Sequence, residues 1–387
     1  MSARRVFFYV QHLLGIGHLK RAATIARALE EKGLAVTVVS GGNDIPGLNI
    51  GAAHLVQLPS TRATDLFFKQ LVDEDDRPID TDWKQRRADA LFEAYRAADA
   101  HVLMFELFPF GRRQMRFEIE PVLHHAVASA RRPVVVSSVR DILVAQDKPE
   151  RNEEMLDRVE RYFDRVLVHG DARLIPFDRT FPLAERIRDK LHYTGYVVDR
   201  TGRGAINTGQ GRDEVLVSAG GGAVGADLLR TAIAARPLST LRDRTWRILV
   251  GVSVDPSAFD ALAAHAGPGV IVERARPDFT ALITNAALSI SQGGYNTVME
   301  VLEAGTRAVI VPYAGGAETE QTLRARELAQ RTPIQVLAEG ALTPETLAQA
   351  VDNAWRQPPP ANTTIDTDGA NVTATLIAGW ADAVPWA

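Results

Sequence analysis

Cysteine is absent from all 387 residues, so disulfides and thiolate zinc sites are excluded, and a reducing cytoplasm is compatible with the chain. No charge of either sign dominates: a net charge of −4 and a pI near 6.2 give no general electrostatic reason to bind nucleic acid. No apolar run approaches the length of a membrane span. A signal peptide is not expected, because Arg4-Arg5 lead directly into Val6-Phe-Phe-Tyr-Val10, a strand-length run without a longer apolar core or a small-residue cleavage site. Against these absences the bulk is ordinary, 46% hydrophobic and 24% charged, and long enough for two domains with full cores. The expectation is a soluble, intracellular protein of two domains.

The most informative stretch runs from Ser289 to Gly305 and continues through Arg307-Ala-Val-Ile-Val-Pro-Tyr313. It reads as the end of a buried strand, a Gly293-Gly294 turn, a short helix stopped by Gly305, and a second buried strand. The two glycines let backbone N–H groups approach an anion, and the helix beginning near Asn296 aims its positive dipole end at the same place. Glu300 lies four residues after Asn296 on the same helix face and leans toward the helix start. A carboxylate beside an anion site suits hydroxyl groups, so a ribose next to a diphosphate, as in a nucleotide sugar, fits the pattern. A second loop, Tyr313 to Gln321, delivers Glu320 and Gln321 to the same edge of a parallel sheet, where open α/β sheets bind ligands.

The N-terminal half opens with a βαβ unit: strand Val6–Val10, helix Leu19–Lys32 with Ala22, Ile25, Ala26 and Leu29 inward, stop at Gly33, and strand Ala35–Val39. Its loop carries Gly15, Gly17 and His18. Lys20 stands where a dinucleotide fingerprint has its third glycine, which argues against NAD. His18, at a helix start on the carboxyl edge of the sheet, suits a proton acceptor or a hydrogen-bond donor to a diphosphate. Further strands are expected at His54–Leu58, His101–Phe105, Val134–Ser138 and Arg165–Val168, with helices around Thr81–Ala98, Arg116–Ala130 and Glu153–Phe163. Asp141 follows one of these strands and is the second candidate base. Asp73-Glu-Asp-Asp76 reads as a solvated loop that follows no strand rather than as a cation site.

Strand–helix alternation restarts after Asp199–Arg212, a glycine-rich linker, and Ser218-Ala-Gly220-Gly221-Gly222-Ala223 supplies a third phosphate nest. The resulting architecture is α/β, two Rossmann-like doubly wound domains facing a cleft: residues 1–200 on the acceptor side, residues 201–369 on the donor side, and residues 370–387 a terminal helix packing back on the first domain.

On Gly294-Tyr-Asn-Thr-Val-Met-Glu300, Glu320-Gln321, Gly220–Gly222 and Gly15–His18, the whole chain resembles a GT-B glycosyltransferase, most closely the group containing the N-acetylglucosaminyltransferase that completes lipid II in peptidoglycan synthesis. The resemblance implies that Glu300 binds the ribose hydroxyls, Thr297 and the Gly293-Gly294 turn the diphosphate, Glu320-Gln321 the sugar, and backbone near Arg276 the base. That group has paired glutamines where this chain has Glu320-Gln321. Gly17-His18-Leu-Lys-Arg21 also resembles the UDP-sugar hydrolase of pseudaminic acid synthesis, whose acceptor is water. A silent sugar-nucleotide-binding partner and the nucleotide-sugar 2-epimerases share the architecture.

The expected activity is inverting transfer from a uridine-linked donor to a hydroxyl of a small-molecule, glycan or lipid-linked acceptor. It needs no cofactor and no metal, since Gly-rich loops and helix dipoles neutralise the leaving diphosphate. Arg112, Arg113 and Arg116 with Phe108, Phe110 and Phe117 form a candidate basic, aromatic patch for peripheral contact with the inner membrane face, with internal packing of the aromatics as the equal alternative.

Overall fold

The computed structural model describes residues 3–13, 15–65, 70–144, 148–201, 209–220, 225–252, 254–276, 278–315, 319–360 and 365–385. The chain divides into two compact units, Met1–Val197 with Asp366–Ala387, and Val198–Ile365.

In the first unit β1 (Arg5–Val10) leads through α1 (Gly17–Glu31) to β2 (Ala35–Ser40) and β3 (His54–Gln57). A small antiparallel pair follows, β4 (Arg62–Ala63) with β5 (Leu71–Val72), then α2 (Thr81–Ala98), β6 (Val102–Glu106), α3 (Arg116–Ala128), β7 (Val134–Arg140), α4 (Pro149–Tyr162), β8 (Arg165–His169) and β9 (Leu191–Tyr193). The second unit contains β10 (Val215–Ser218), α5 (Ala226–Ala235), β11 (Trp246–Val250), α6 (Pro256–Ala264), β12 (Val270–Arg274), α7 (Phe279–Asn285), β13 (Leu288–Ser291), α8 (Tyr295–Ala304), β14 (Ala308–Ile310), α9 (Glu320–Ala329), β15 (Gln335–Val336) and α10 (Pro344–Arg356). The last helix, α11 (Gly369–Ala383), returns to the first unit.

Each unit is built on one parallel sheet, seven strands in the order β3-β2-β1-β6-β7-β8-β9 and six in the order β12-β11-β10-β13-β14-β15. Strands covered on both faces must be apolar at every position. β1 shows this: Phe7 and Tyr9 join the core shared with α2 and α3, while Val6, Phe8 and Val10 join the one shared with α1 and α11. α11 belongs to the second of these cores through Ala374, Ile377 and Ala381. In the other unit Val217, Ile248 and Ile290 pack with Leu228 and Ala232 of α5 and Leu347 and Val351 of α10. Both sheets reverse their winding once, between β1 and β6 and between β10 and β13. Loops leaving the carboxyl ends of those strand pairs diverge to opposite faces, which opens a crevice between them.

Most boundaries match the sequence expectation, and the differences have local causes. The strand expected over Val309–Pro312 ends at Ile310, because Pro312 has no N–H for a ladder. Asp73 does follow a strand, β5, and its carboxylate is turned inward to accept from Asp75 N at 3.0 Å and Arg77 N at 2.9 Å. The segment is therefore a self-satisfied turn on a short ribbon, not a loop without a strand before it.

The loops at the carboxyl ends of β1, β2 and β3 share one buried cation. Arg87 of α2 has no exposed surface and reaches Glu118 of α3 through Nε at 2.6 Å and Nη2 at 3.0 Å. Its remaining N–H groups donate to the Gln11 side chain and to the carbonyls of Gly41 (2.7 Å) and Pro59. A Cβ on Gly41 would collide with Arg87 Nη2 and Gln11 Oε1, so a larger residue there would have to displace this buried hydrogen bond. Removing one member of such a pair leaves a buried, uncompensated charge, so Arg87→Met is expected to lose about 3–5 kcal/mol of stability. Urea unfolding measures this, and a loss under about 1 kcal/mol would show that the pair is not what holds the edge.

Candidate functional site

At the switch point of the first unit, β6 ends on Glu106, which is fully buried, and α1 places His18 and Arg21 above it. Helical spacing puts residues 18 and 21 on one face, so both reach the same carboxylate. His18 Nδ1 lies 2.9 Å from Glu106 Oε1, Arg21 Nη2 donates to the same oxygen, and Ser138 Oγ donates to Oε2 at 2.8 Å. Burial alone would push the Glu106 carboxyl up, but Arg21 and the His18 hydrogen bond outweigh it and hold the group ionised, well below the usual carboxylate range. His18 Nδ1 also lies 3.2 Å from Arg21 Nη2, which can only donate, but the shorter contact to the ionised Oε1, which only accepts, favours the proton on Nδ1 and a lone pair on Nε2. Burial pushes the imidazole down to about 3, against the Glu106 hydrogen bond and helped by Arg112 and Arg21. The imidazole is therefore neutral near pH 7 and presents its lone pair from a side chain that is 14% exposed, the form from which a proton is accepted, while the burial that keeps it neutral also weakens it as a base.

Asp141 differs. It lies just past β7 with no exposed surface and accepts from the Tyr196 hydroxyl at 3.1 Å. Of the two candidate bases only His18 reaches the surface.

At the switch point of the second unit, Gln292 N donates to Ser218 O at 3.3 Å, which sets the Gln292–Gly294 turn beside the loop that Gly220 begins. Gly220 has φ +78, a left-handed conformation that favours glycine, and donates from its N–H to Ser218 Oγ at 3.1 Å. Gly221 and Gly222 lie outside the described residues. Gly294 is the N-cap of α8 in extended backbone; among the described residues no side chain caps that helix, and no acid occupies its first turn. Its missing Cβ would meet no atom within 4 Å, so the hydrogen leaves open space in front of the helix start. Asn296, Thr297 and Glu300 are the half-buried side of α8, while Val298, Met299, Val301 and Leu302 are buried.

Arg324 of α9 has no exposed surface and anchors this turn, donating to Gly293 O at 3.3 Å and lying over the Tyr295 ring at 5.3 Å. It also donates to Glu320 at 2.7 Å, so the Glu320 carboxylate faces the interior, where the sequence reading has it binding sugar hydroxyls. Gln321 accepts from Tyr313 N at 3.0 Å and packs against Gly293, whose missing Cβ would lie 3.1 Å from Gln321 Cβ. Arg276 sits past the end of β12 with its guanidinium on Asp278 at 2.8 Å and Gln210 at 2.7 Å. In the first unit Gly15 is exposed and Gly17 is the first residue of α1.

The aromatic–basic patch is corrected. Phe108 and Phe110 are core residues, Phe117 packs against that core, Arg112 donates to Gln11 O at 2.7 Å, and Arg113 and Arg116 pair with Glu154. Their spacing is that of an apolar loop folding under the sheet edge rather than of a surface stripe. The sequence reading assigned no role to Glu106, Arg21, Ser138, His169 or Arg324. Two of these left a signal: an acid closing the apolar run Val102–Phe105, and an arginine among the inward residues of α1.

Residues 216–374, less than half of the chain, match the family described as the glycosyltransferase family 28 C-terminal domain. A UDP-N-acetylglucosamine–N-acetylmuramyl-(pentapeptide) pyrophosphoryl-undecaprenol N-acetylglucosamine transferase of Thermotoga neapolitana is 26% identical over 191 residues, 47% of this chain and 50% of that protein. The enzyme of the same name from Syntrophotalea carbinolica is 34% identical over 82 residues, 21% and 23% of the two chains. The chain thus spans half or less of the length of these curated relatives. Among solved structures, Acinetobacter baumannii MurG superposes with a TM-score of 0.59 at 16% identity, covering 97% of this chain and 99% of that one. The calicheamicin glycosyltransferase CalG4 gives 0.60 at 15%, covering 99% and 95%. A putative UDP-N-acetylglucosamine 2-epimerase from Listeria monocytogenes gives 0.61 at 11%, covering 97% and 95%. The fold is the GT-B type, and the resemblance to the lipid II-forming transferase group read from the residues is borne out.

The buried histidines make stability depend on pH. His169 has no exposed surface, and burial with the help of Arg21, against Glu106, pushes it down to about 3. Between that value and about 6.5 the unfolded chain binds a proton that the native chain does not, so stability falls as pH drops through this window. Unperturbed carboxylates, with pKa values of about 4, titrate mostly below pH 5, so the upper part of the window, from pH 7 to pH 5, isolates the histidine. From pH 7 to pH 5 wild type is expected to lose about 2 kcal/mol more than His169→Gln. Urea unfolding at the two pH values checks this, and parallel losses would contradict it.

Proposed function

We propose that the protein is a metal-independent glycosyltransferase moving a sugar, with inversion, from a uridine diphosphate sugar to a hydroxyl acceptor. The observation that carries the proposal is the start of α8: an uncapped helix N-terminus at a topological switch point, open space at Gly294, and a half-buried face of Asn296, Thr297 and Glu300. Such an end attracts a diphosphate. It lies within residues 216–374, the segment that matches a glycosyltransferase family, and the named relatives act on UDP-N-acetylglucosamine.

In this reading Glu300 accepts from the ribose hydroxyls, the Gly293-Gly294 turn and Thr297 receive the diphosphate, and backbone beside Arg276 meets the base. Gln321 is left for the sugar, Glu320 being engaged with Arg324. His18 Nε2 takes the proton of the acceptor hydroxyl as its oxygen bonds to the anomeric carbon and the diphosphate departs with the bonding pair. A single displacement inverts that carbon. Glu106 stabilises the imidazolium that forms, and the α8 dipole stabilises the charge on the leaving group.

Hydrogen bonds to a charged group contribute about 1.5–3 kcal/mol, so Glu300→Ala should weaken uridine diphosphate binding on the order of tenfold to a hundredfold. Calorimetric titration of both folded proteins tests this, and equal affinities would remove Glu300 from the site. His18→Ala should keep nucleotide affinity while turnover falls roughly a hundredfold or more. Weaker binding at unchanged turnover would instead make His18 a diphosphate ligand. Turnover should persist in the presence of a chelator, and activity abolished by chelation and restored by magnesium would contradict the metal-independent mechanism.

A further inference from the structure

The hydrogen bonds of the first unit do not stop at Glu106. Register pairs Glu106 with Ser138 on the neighbouring strand, and His169 ends the strand after that. Ser138 Oγ lies 2.8 Å from Glu106 Oε2 and 2.8 Å from His169 Nε2, and His169 Nδ1 lies 2.9 Å from Thr194 Oγ1, just beyond β9. All four residues are buried to within 1%. They cross the carboxyl ends of four adjacent strands and end at His18.

The direction of each bond follows from the charge at one end. Ser138 has one hydroxyl proton, and the ionised carboxylate takes it. Toward His169 the serine oxygen must then accept, which places the His169 proton on Nε2. His169 is neutral, so its Nδ1 lone pair faces Thr194 Oγ1 at 2.9 Å, a hydroxyl whose single proton also has the Gly195 carbonyl within 2.9 Å. The two donors nearest His18, Ser138 Oγ and His169 Nε2, both point toward Glu106. The rows beneath it on the same sheet face are apolar: Val102 and Met104, Val136, and Leu167 all lie in the α1–α11 core. The fully buried polar residues on this face of β6, β7 and β8 are the three that meet at Glu106.

We propose that Ser138 and His169 are positioning residues for the transfer, fixing the plane of the Glu106 carboxylate so that His18 is held with its proton on Nδ1 and its lone pair on Nε2. The proposal rests on the reading of His18 as the base. With Ser138 bonded to Oε2, Oε1 is held for His18 and Arg21. Without it the carboxylate is free to turn toward Arg21, the His18 bond lengthens, and the other tautomer becomes populated. Neither Ser138 nor His169 reaches solvent, so neither touches substrate.

The tautomer is observable without turnover. In protein labelled with nitrogen-15 histidine, with His18 assigned by loss of its signals in His18→Gln, the wild type should show a protonated Nδ1 and an unprotonated Nε2 at pH 7.5. Ser138→Ala and His169→Phe should show His18 averaging between tautomers, and Ser138→Thr should restore the wild-type pattern. Turnover in the first two should fall roughly tenfold to a hundredfold with uridine diphosphate affinity unchanged. His18 remaining in the single Nδ1-protonated form in both folded variants would overturn the proposal. If one variant does not fold, the other decides, with Ser138→Thr as the conservative control. Full turnover in His18→Ala would defeat the base reading separately, and with it the proposed part of Ser138 and His169 in the transfer, whatever the tautomer shows.

Discussion

A carboxylate buried in a protein stays ionised only where cations and donors surround it, and that requirement organises both sheet edges of this chain. Among the described residues three glutamates are buried at or behind the carboxyl ends of the strands, and each has a buried arginine: Glu118 with Arg87, Glu106 with Arg21, Glu320 with Arg324. In each case the arginine or its partner also holds a segment of the candidate site. Arg87 holds Gln11 and the Gly41 loop, Arg21 shares the Glu106 oxygen that His18 uses, and Arg324 holds the Gly293 carbonyl. Such pairs contribute little net stability over apolar residues of similar shape. Here they tie loops at the sheet edges to the helices behind them.

The two edges are specialised in opposite ways. The first unit offers a neutral imidazole whose tautomer is set by an anion behind it, a geometry suited to removing a proton. The second offers a helix start without a capping side chain or a nearby acid in its first turn, and a glycine whose absent Cβ leaves room in front of it, a geometry suited to a multiply charged oxyanion. Proton acceptance and anion stabilisation are the two demands of displacing a diphosphate by an alcohol.

Elements with strong periodicity were legible from the residues. The helix Thr81–Ala98 occurs at the expected bounds, and Gly305 ends α8 with φ +64 as expected of a helix stop. These depend on local patterns of apolar spacing and turn chemistry. What could not be read locally was the direction of a charged side chain. Glu320 was expected to face a ligand and instead turns to Arg324 one helical turn on, while for Phe108 and Phe110 a surface patch and internal packing were both open and the core takes them. The Glu106–Ser138–His169 row joins residues more than thirty positions apart, brought together only by the order of β6, β7 and β8 in the sheet. No spacing along the chain announces it.

The central claim is that a nucleoside diphosphate sits against the start of α8, and Gly294 tests it most directly. Its backbone is ordinary for any residue and its absent Cβ has nothing within 4 Å, so Gly294→Ala should fold with a stability change within about 1 kcal/mol. The added methyl would occupy the space assigned to phosphate oxygens. Calorimetric titration of uridine diphosphate should therefore show saturable binding to wild type and at least roughly tenfold weaker binding to Gly294→Ala, a cost of about 1.4 kcal/mol or more. Equal affinities in the two proteins, or no binding to the wild type, would contradict the account.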